Sequence, residues 1–443
     1  MEATTLLIAI MAGVLVFFLS PVYGVIVYVA ALAWYPSYLS VPVGTIDFTL
    51  RRIVILAIFA KLFLQTDLPS RFKFIWLDKL IIIYFAAQLL AGATTTESLA
   101  AFLENRGGAV FDMVLPYFAV RMIIRNKQQY LALLKGVLII AAPLAIIGFY
   151  QCLTGNNPVG FLRKYHAWKD ASRYVPIPRY GFFRADVTFP MSIMFGLFFA
   201  MFGPVCAGII RNAKEHKTLY WIGLGLMGVG IFSSMSSGPM LAALLAILFI
   251  VVYRWRKYWK PIAIIIIIMC ASVETISNRH FYDVLGGFTP NPGTAWYRSK
   301  LIDVALFEGG MSGHWLTGYG PFTDPGWGPR IDGRAHTDTV NHYLLILHSY
   351  GLVGLVPFLA MCTIAIRRLV DAYKASTLDS DKWMIWCLSA GLFGLAGAFV
   401  SVSLFGQPTT IFYMVLGLCG VMPMIISRPD SLRGIKMVVN SAA

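Results

Sequence analysis

Long apolar runs recur from one end of the chain to the other, and they constrain the fold before any motif does. A helix needs about 20 apolar residues to cross the hydrocarbon core of a bilayer. On that measure the sequence predicts spans over 5–20, 22–38, 50–66, 78–94, 108–124, 130–150, 187–209, 219–235, 238–254, 261–276, 343–366, 384–404 and 410–427. The first two are short and broken at Ser20-Pro21, so they form either a hairpin or one tilted unit. The expectation is an all-α polytopic membrane protein with about twelve to thirteen transmembrane helices. Composition agrees: the 443 residues are 58% hydrophobic and 13% charged, whereas a soluble domain is about 45–50% apolar and about 25% charged.

The formal net charge is +15. In a soluble protein that excess points to nucleic acid. Here the cations sit in short loops beside apolar spans, where Lys and Arg set topology, so nucleic acid is not expected as a partner and membrane lipids are. Arg71, Lys73 and Lys79 form one cluster, and Arg121, Arg125 and Lys127 the next. Arg211, Lys214 and Lys217 follow, then Arg254, Arg256, Lys257 and Lys260, then Arg367, Arg368, Lys374 and Lys382, and last Arg428, Arg433 and Lys436. They fall in alternate loops and can share the cytoplasmic side. Loops 95–107, 152–186 and 277–342 then lie outside. Arg51 and Arg52 break this pattern by falling on the outer side. The start of the chain lacks the basic residues and small-residue cleavage site of a removed signal, so the first span is expected to remain.

The six cysteines are scattered without a CxxC pair, which suggests neither a disulfide framework nor a zinc site. Aromatic residues around 253–259 and 383–386 suit an interfacial belt, and the Phe-rich run 195–202 suits packing or lipid contact. The chain divides into a helical bundle over 1–276, a large polar loop over 277–342, and C-terminal helices with a tail over 343–443.

That polar loop concentrates the groups able to do chemistry. It carries Arg279, Arg298, Lys300, Arg330 and Arg334, and four of the seven histidines: His280, His314, His336 and His342. Arg298 lies in WYRSKLIDVALF, whose apolar spacing predicts a short amphipathic helix along the membrane surface. Its guanidinium is a fixed fork of donors that suits phosphate oxygens; a snorkelling surface arginine has the same sequence signature. Gly318 and Gly320 in LTGYGPF allow backbone conformations closed to other residues. Then DGRAHTDTVNH (332–342) packs Arg334, His336, Asp338, Asn341 and His342 against the start of an apolar span. Imidazole near neutral pKa can take a proton from a sugar hydroxyl, and ionisable groups at membrane depth are usually functional. His336, Asp338 and His342 match no metal-site spacing, and no GxSxG elbow supports serine hydrolysis; neither metal nor other cofactor is expected. The outer loop 152–186 adds Arg163, Lys164, Lys169, Arg173, Arg179 and Arg184 among Tyr165, Trp168, Tyr174, Tyr180 and Phe182. It reads equally as a segment on anionic headgroups or as a second wall of the site.

The order of an arginine, an amphipathic helix, a GxGP turn, a polar loop and then NHYLLILHSYGLVGL resembles the O-antigen ligase and O-antigen polymerase superfamily. LPYFAVRMIIRN (115–126) and ADVTFPMSIMFG (185–196) are also similar to it. The resemblance implies a bacterial inner-membrane protein that moves a glycan from an undecaprenyl-diphosphate carrier to lipid A-core or to another glycan, with the large loop in the periplasm. It places Arg298 at a functional arginine opening the amphipathic helix, Gly318 and Gly320 at the turn, and Asn341 in a His-Asn pair. Two positions depart from the pattern. Val340 stands where the pair has histidine, so His342 or His336 would be the base, or none is present. Ser237-Gly238-Pro239 stands where the family often has Ser-Arg, so the second functional arginine would be Arg184, Arg179 or Arg334, or is missing. Two rival readings are a polytopic transporter and an inactive relative that only binds lipid-linked glycan. Against transport, no two halves of the sequence match one another and few ionisable residues fall at span centres.

Overall fold

The computed structural model describes residues 2–427 apart from 45, 66, 68–69, 71, 96–97, 166–177, 214, 277–291 and 322. Arg71, Lys169, Trp168, Arg173, Tyr174, Lys214, Arg279, His280, Arg428, Arg433 and Lys436 lie outside the described residues.

The chain is predominantly helical. Helices α1 (Glu2–Phe18) and α2 (Pro21–Trp34) are separated at Ser20, with Pro21 opening the second; proline suits a first helical position because its missing N–H would have no partner there. Two short antiparallel strands, β1 (Ser40–Val43) and β2 (Ile46–Thr49), lead into α3 (Leu50–Gln65). Lys61 on α3 is buried and donates to the carbonyls of Val16 (3.0 Å), Phe17 (2.8 Å) and Leu19. A cation at the carbonyl end of α1 satisfies orphan acceptors and meets the negative end of its dipole.

Helix α4 (Trp76–Thr95) is followed by α5 (Leu99–Ala109), which runs through a π-helical turn (Val110–Val114) into α6 (Leu115–Ile123). The expected outer loop 95–107 is thus largely helix, started by Ser98, whose hydroxyl accepts from the Ala101 N–H at 3.2 Å. Asp78 is fully buried. It accepts from Tyr117 Oη at 2.6 Å and from Arg121 Nε and Nη2 at 2.8 and 2.9 Å, tying α4 to α6. Helix α7 (Lys127–Thr154) is followed by β3 (Pro178–Arg179), β4 (Phe182–Phe183) and α8 (Ser192–Ala207). The expected span 187–209 is shortened at its start. Pro190 disfavours helix in the residue before it, and Thr188 Oγ1 donates to Ala33 O at 2.6 Å. Phe195, Phe198, Phe199 and Phe202 are buried against one another, so this run is packing surface.

Next come α9 (Lys217–Ser233), α10 (Ser237–Val251) with a 3-10 continuation (Val252–Tyr258), and α11 (Trp259–Ile276). After the undescribed stretch come α12 (Pro292–Ile302), a π-helical turn (Asp303–Phe307) and one turn of helix, α13 (Gly328–Ile331). Helices α14 (His342–Ala375), α15 (Asp379–Ala398) and α16 (Gln407–Ser427) complete the fold. Among the described residues, five helices are long and apolar enough to cross a membrane: α4, α7, α10 with its continuation, α14 and α16. Helices α1, α2 and α8 are apolar but shorter.

The segment 292–341 has a small core of its own. Tyr297, Leu301, Val304, Ala305, Met311, Trp327 and Ile331 pack with Leu344 and Leu347 of α14. Its backbone also completes a break in α14. Gly351 has φ 59° and ψ −160°, which removes helical bonding there. Tyr319 N–H donates to His348 O (2.7 Å), and the N–H groups of Leu352 and Val353 donate to the carbonyls of Trp315 (2.8 Å) and Leu316 (3.1 Å). A Cβ at Gly351 would lie 2.2 Å from Leu316 O, and one at Gly318 would lie 2.4 Å from His348 O. The turn Gly318–Gly320 is therefore a plug seated in a broken helix. Gly351→Ala should destabilise the protein by at least about 1–3 kcal/mol, the usual cost of such backbone strain, and should raise hydrogen exchange in 314–320. An unchanged unfolding midpoint in detergent, with the segment still protected, would contradict this account.

A cluster of arginines at the start of helix α10

Strands β3 and β4 form a two-residue hairpin. Its turn residues Tyr180 and Gly181 have φ 52° and 80°, the positive values that match strand twist in such hairpins. The hairpin carries Arg179 at one end and leads directly to Arg184. The chain beyond is pinned by Asp186, which is buried and accepts from Gln151 Nε2 at 2.8 Å, Asn157 Nδ2 at 3.3 Å and Arg163. Ala185 N–H donates to Ser233 O at 2.9 Å, docking this segment on the end of α9.

Three guanidinium groups meet there. Arg179 Nη1 donates to Met235 O at 3.1 Å, and Arg184 Nη2 reaches Ser236 Oγ at 3.4 Å. From α12, Arg298 Nη2 reaches Ser237 Oγ at 3.4 Å. Residues 235–237 join α9 to α10, and Ser236 stands at the N-cap of α10 without bonding the helix through its side chain. The amino end of a helix carries about half a positive charge, so three cations converge where the backbone is itself positive. Arg298 Nε is buried with no hydrogen-bond partner among the described residues. Burial pushes the Arg298 pKa below its ordinary value, the neighbouring Arg179 guanidinium pushes it the same way, and Asp338 opposes both. A site of this composition has unused donors for phosphate-like oxygens.

The other residues singled out from sequence have different surroundings. Asn341 caps α14, its Oδ1 accepting from the Leu344 N–H at 3.1 Å. His342 is buried against Phe358 and Phe399, and its Nδ1 accepts from the Leu404 N–H at 3.3 Å. That surrounding is the packing of the C-terminal helices. Arg334 pairs with Asp332 at 2.9 Å and lies over the Tyr297 ring. His336 is exposed, with Nδ1 3.2 Å from Asp324 Oδ2. Gly318 and Gly320 have φ 77° and 110° and serve the plug. Sequence reasoning passed over Ser236, which receives Arg184, and gave no part at the arginine cluster to Ser237, which receives Arg298, or to Asp338, whose charge acts on Arg298. Nothing local marks these roles, because the arginines that meet Ser236 and Ser237 are 52 and 61 residues away. Among the described residues, no group of three His, Cys, Asp or Glu side chains is placed to hold a metal ion.

Asp324 ties the start of the stretch 324–337 to its end. Burial acts to raise the Asp324 pKa, but bonds from the Gly326 and Thr337 N–H groups, the Thr337 hydroxyl and His336 outweigh it and hold the group down to about 2. A free aspartate titrates near ~3.9. The stabilisation is therefore present above about pH 4 and lost as pH falls toward 2. Peptide-resolved hydrogen exchange, corrected for its intrinsic pH dependence, should show 324–337 loosening in that window, and Asp324→Asn should loosen it at pH 7. Equal protection at pH 5 and pH 2.5 would remove Asp324 as the clamp.

No family model matches the chain, and no curated protein is similar to it.

Proposed function

We propose that the chain is a bacterial inner-membrane glycosyl transferase of about twelve to thirteen spans, with segment 292–341 on the periplasmic side. Its donor is an undecaprenyl-diphosphate-linked glycan. Its acceptor is lipid A-core or the end of another glycan. One observation carries this reading: Arg179, Arg184 and Arg298 converge on Met235–Ser237 at the amino end of α10. The resemblance calls for a second arginine near Ser237, and two arginines from the β3–β4 hairpin reach that place from across the site.

In this reading the guanidinium groups hold the diphosphate and stabilise the negative charge that grows on it as it leaves. The acceptor hydroxyl oxygen attacks the anomeric carbon from the opposite face. The bond from that carbon to the diphosphate oxygen breaks, the configuration inverts, and undecaprenyl diphosphate departs with the bonding electrons. The hydroxyl proton passes to Asp338, whose charge acts on Arg298, or to exposed His336, which Asp324 orients. The donor is already activated by its diphosphate, so the mechanism calls on no nucleotide sugar and no metal.

Removing one donor from a site that stabilises developing charge typically slows a reaction about 100- to 1,000-fold. Arg298→Ala should lower glycan transfer by that much while the protein inserts normally, and Arg298→Lys should recover part of it. Undiminished transfer by Arg298→Ala ends the proposal. Of Asp338→Asn and His336→Ala, the variant that loses more activity identifies the base. The product separates the two acceptors: loss of glycan on lipid A-core marks a ligase, and loss of chain length a polymerase.

A further inference from the structure

Arg106 on α5 is a buried cation, 5% exposed, with no part in that chemistry. Its Nη1 donates to Gln88 Oε1 at 3.2 Å and its Nη2 to Tyr350 Oη at 3.3 Å, both neutral oxygens. Its Nε has no partner among the described residues. Taking a guanidinium out of water is costly, so what this one holds in return matters to the fold.

The side from which Arg106 reaches out is well supported. A Cβ at Gly92 would lie 3.3 Å from Phe102 Cε2 and 3.6 Å from Arg106 Cδ, so α5 lies close on α4 there. Gln88 on α4 turns its Oε1 to the guanidinium while its Nε2 reaches Met113 Sδ at 3.9 Å. Farther along the same helical rod, Asp112 meets Arg51 Nη2 at 3.0 Å and Arg52 Nη2 at 2.8 Å, which ties the rod to α3.

The side it reaches is the break in α14. Tyr350 is the residue before Gly351, and Arg106 Cζ lies 5.3 Å from the centre of its ring as well as bonding its hydroxyl. A cation over an aromatic face is attractive in itself. The plug also meets α4, since a Cβ at Gly320 would lie 2.7 Å from Thr95 Oγ1. From the plug, hydrogen bonds lead on toward Arg298. Tyr319 Oη donates to Gly310 O at 2.5 Å, and Gly310 N–H donates to Val304 O at 2.9 Å, on the turn that continues α12.

We propose that Arg106 is a positioning residue for glycan transfer, acting as a latch. Through Tyr350 it holds α14 in its broken form, which keeps the plug seated and Arg298 in place at Ser237. Arg106 touches no substrate. Its kinetic effect rests on the transfer reading above, whereas the latch itself does not.

Hydrogen exchange on the full chain in detergent tests the latch. Arg106→Gln should speed exchange at 314–320 and 348–353 about tenfold, equivalent to about 1.4 kcal/mol. Adding Tyr350→Phe should speed it no further, because the same contact is lost only once. Kinetics test the positioning. A displacement of about 1 Å can slow a reaction about 100-fold, so Arg106→Gln should slow transfer by about 10- to 100-fold. Arg106→Lys keeps the cation over the ring and should recover part of the rate. In an Arg298→Ala chain, adding Arg106→Gln should slow the residual transfer by less than about twofold, because the two act through one group. Unchanged exchange at 314–320 in Arg106→Gln overturns the latch. A full second loss in the Arg298→Ala chain overturns the positioning of Arg298. Should Arg106→Gln fail to insert, Tyr350→Phe alone decides: faster exchange at 314–320 supports the latch, and unchanged exchange overturns it. An unmutated chain that transfers no glycan ends the functional reading, and exchange still decides the latch.

Discussion

Backbone N–H and C=O groups that lose their helical partners in an apolar setting have to find others within the chain. The break in α14 at Gly351 is where this protein meets that demand, and the rest of the polar segment is arranged by how it does so. The acceptor and donors freed there are taken up by the backbone of 315–319, and glycine at 318 and 351 lets the two backbones touch. Once seated, that turn anchors the residues on either side of it. The Tyr319 hydroxyl and Trp327 Nε1 both donate to Gly310 O, and Leu301 and Val304 of the amphipathic segment close onto Leu344 and Leu347. Arg298 lies on that same short helix. Its placement against α10 is therefore inherited from a membrane helix and not from a free loop.

The buried and half-buried charges divide into two kinds. Lys61 has three carbonyls, Asp78 has a guanidinium, a phenol and a backbone N–H, and Asp186 has two amides and an arginine. Each set brings together elements distant in sequence, and each leaves the ion well solvated by protein. The arginines around Met235–Ser237 differ. Arg179, Arg184 and Arg298 come together as like charges and donate to oxygens of Met235, Ser236 and Ser237, and Arg298 Nε has no partner among the described residues. Repulsion of this kind opposes folding. A bound anion would offset it, which is what the proposed diphosphate site calls for.

How much of this is legible in the sequence depends on how local each signal is. The break at Ser20-Pro21, the short helix around Arg298 and the positive-φ turn at Gly318 and Gly320 each depend on neighbours a few residues away, and each can be read directly. The helix 99–109 escapes notice because it is mostly polar or small and its start depends on one serine cap. The hairpins at 40–49 and 178–183 are too short to show an alternating pattern. His342 looks reactive in the sequence because it is ionisable and opens a span. Only the packed structure shows Phe358 and Phe399 closing over it and the Leu404 N–H occupying its Nδ1. The meeting of Arg179, Arg184 and Arg298 is one of several options in the sequence, since nothing in the intervening residues fixes where two loops come together.

Glycine at 238 fits a close approach of two segments. A Cβ at Gly238 would lie 3.0 Å from Val402 Cβ and 3.2 Å from its Cγ2. The chain that leaves α15 packs directly on the first turn of α10, and a long side chain there would have to displace it. The arginines that meet Met235–Ser237 come from the segment of the β3–β4 hairpin and from α12. The hairpin turn, the pinning of Asp186 and the bond from Ala185 to Ser233 bring Arg179 and Arg184 there. The positive charge at this helix terminus is thus supplied by side chains distant in sequence.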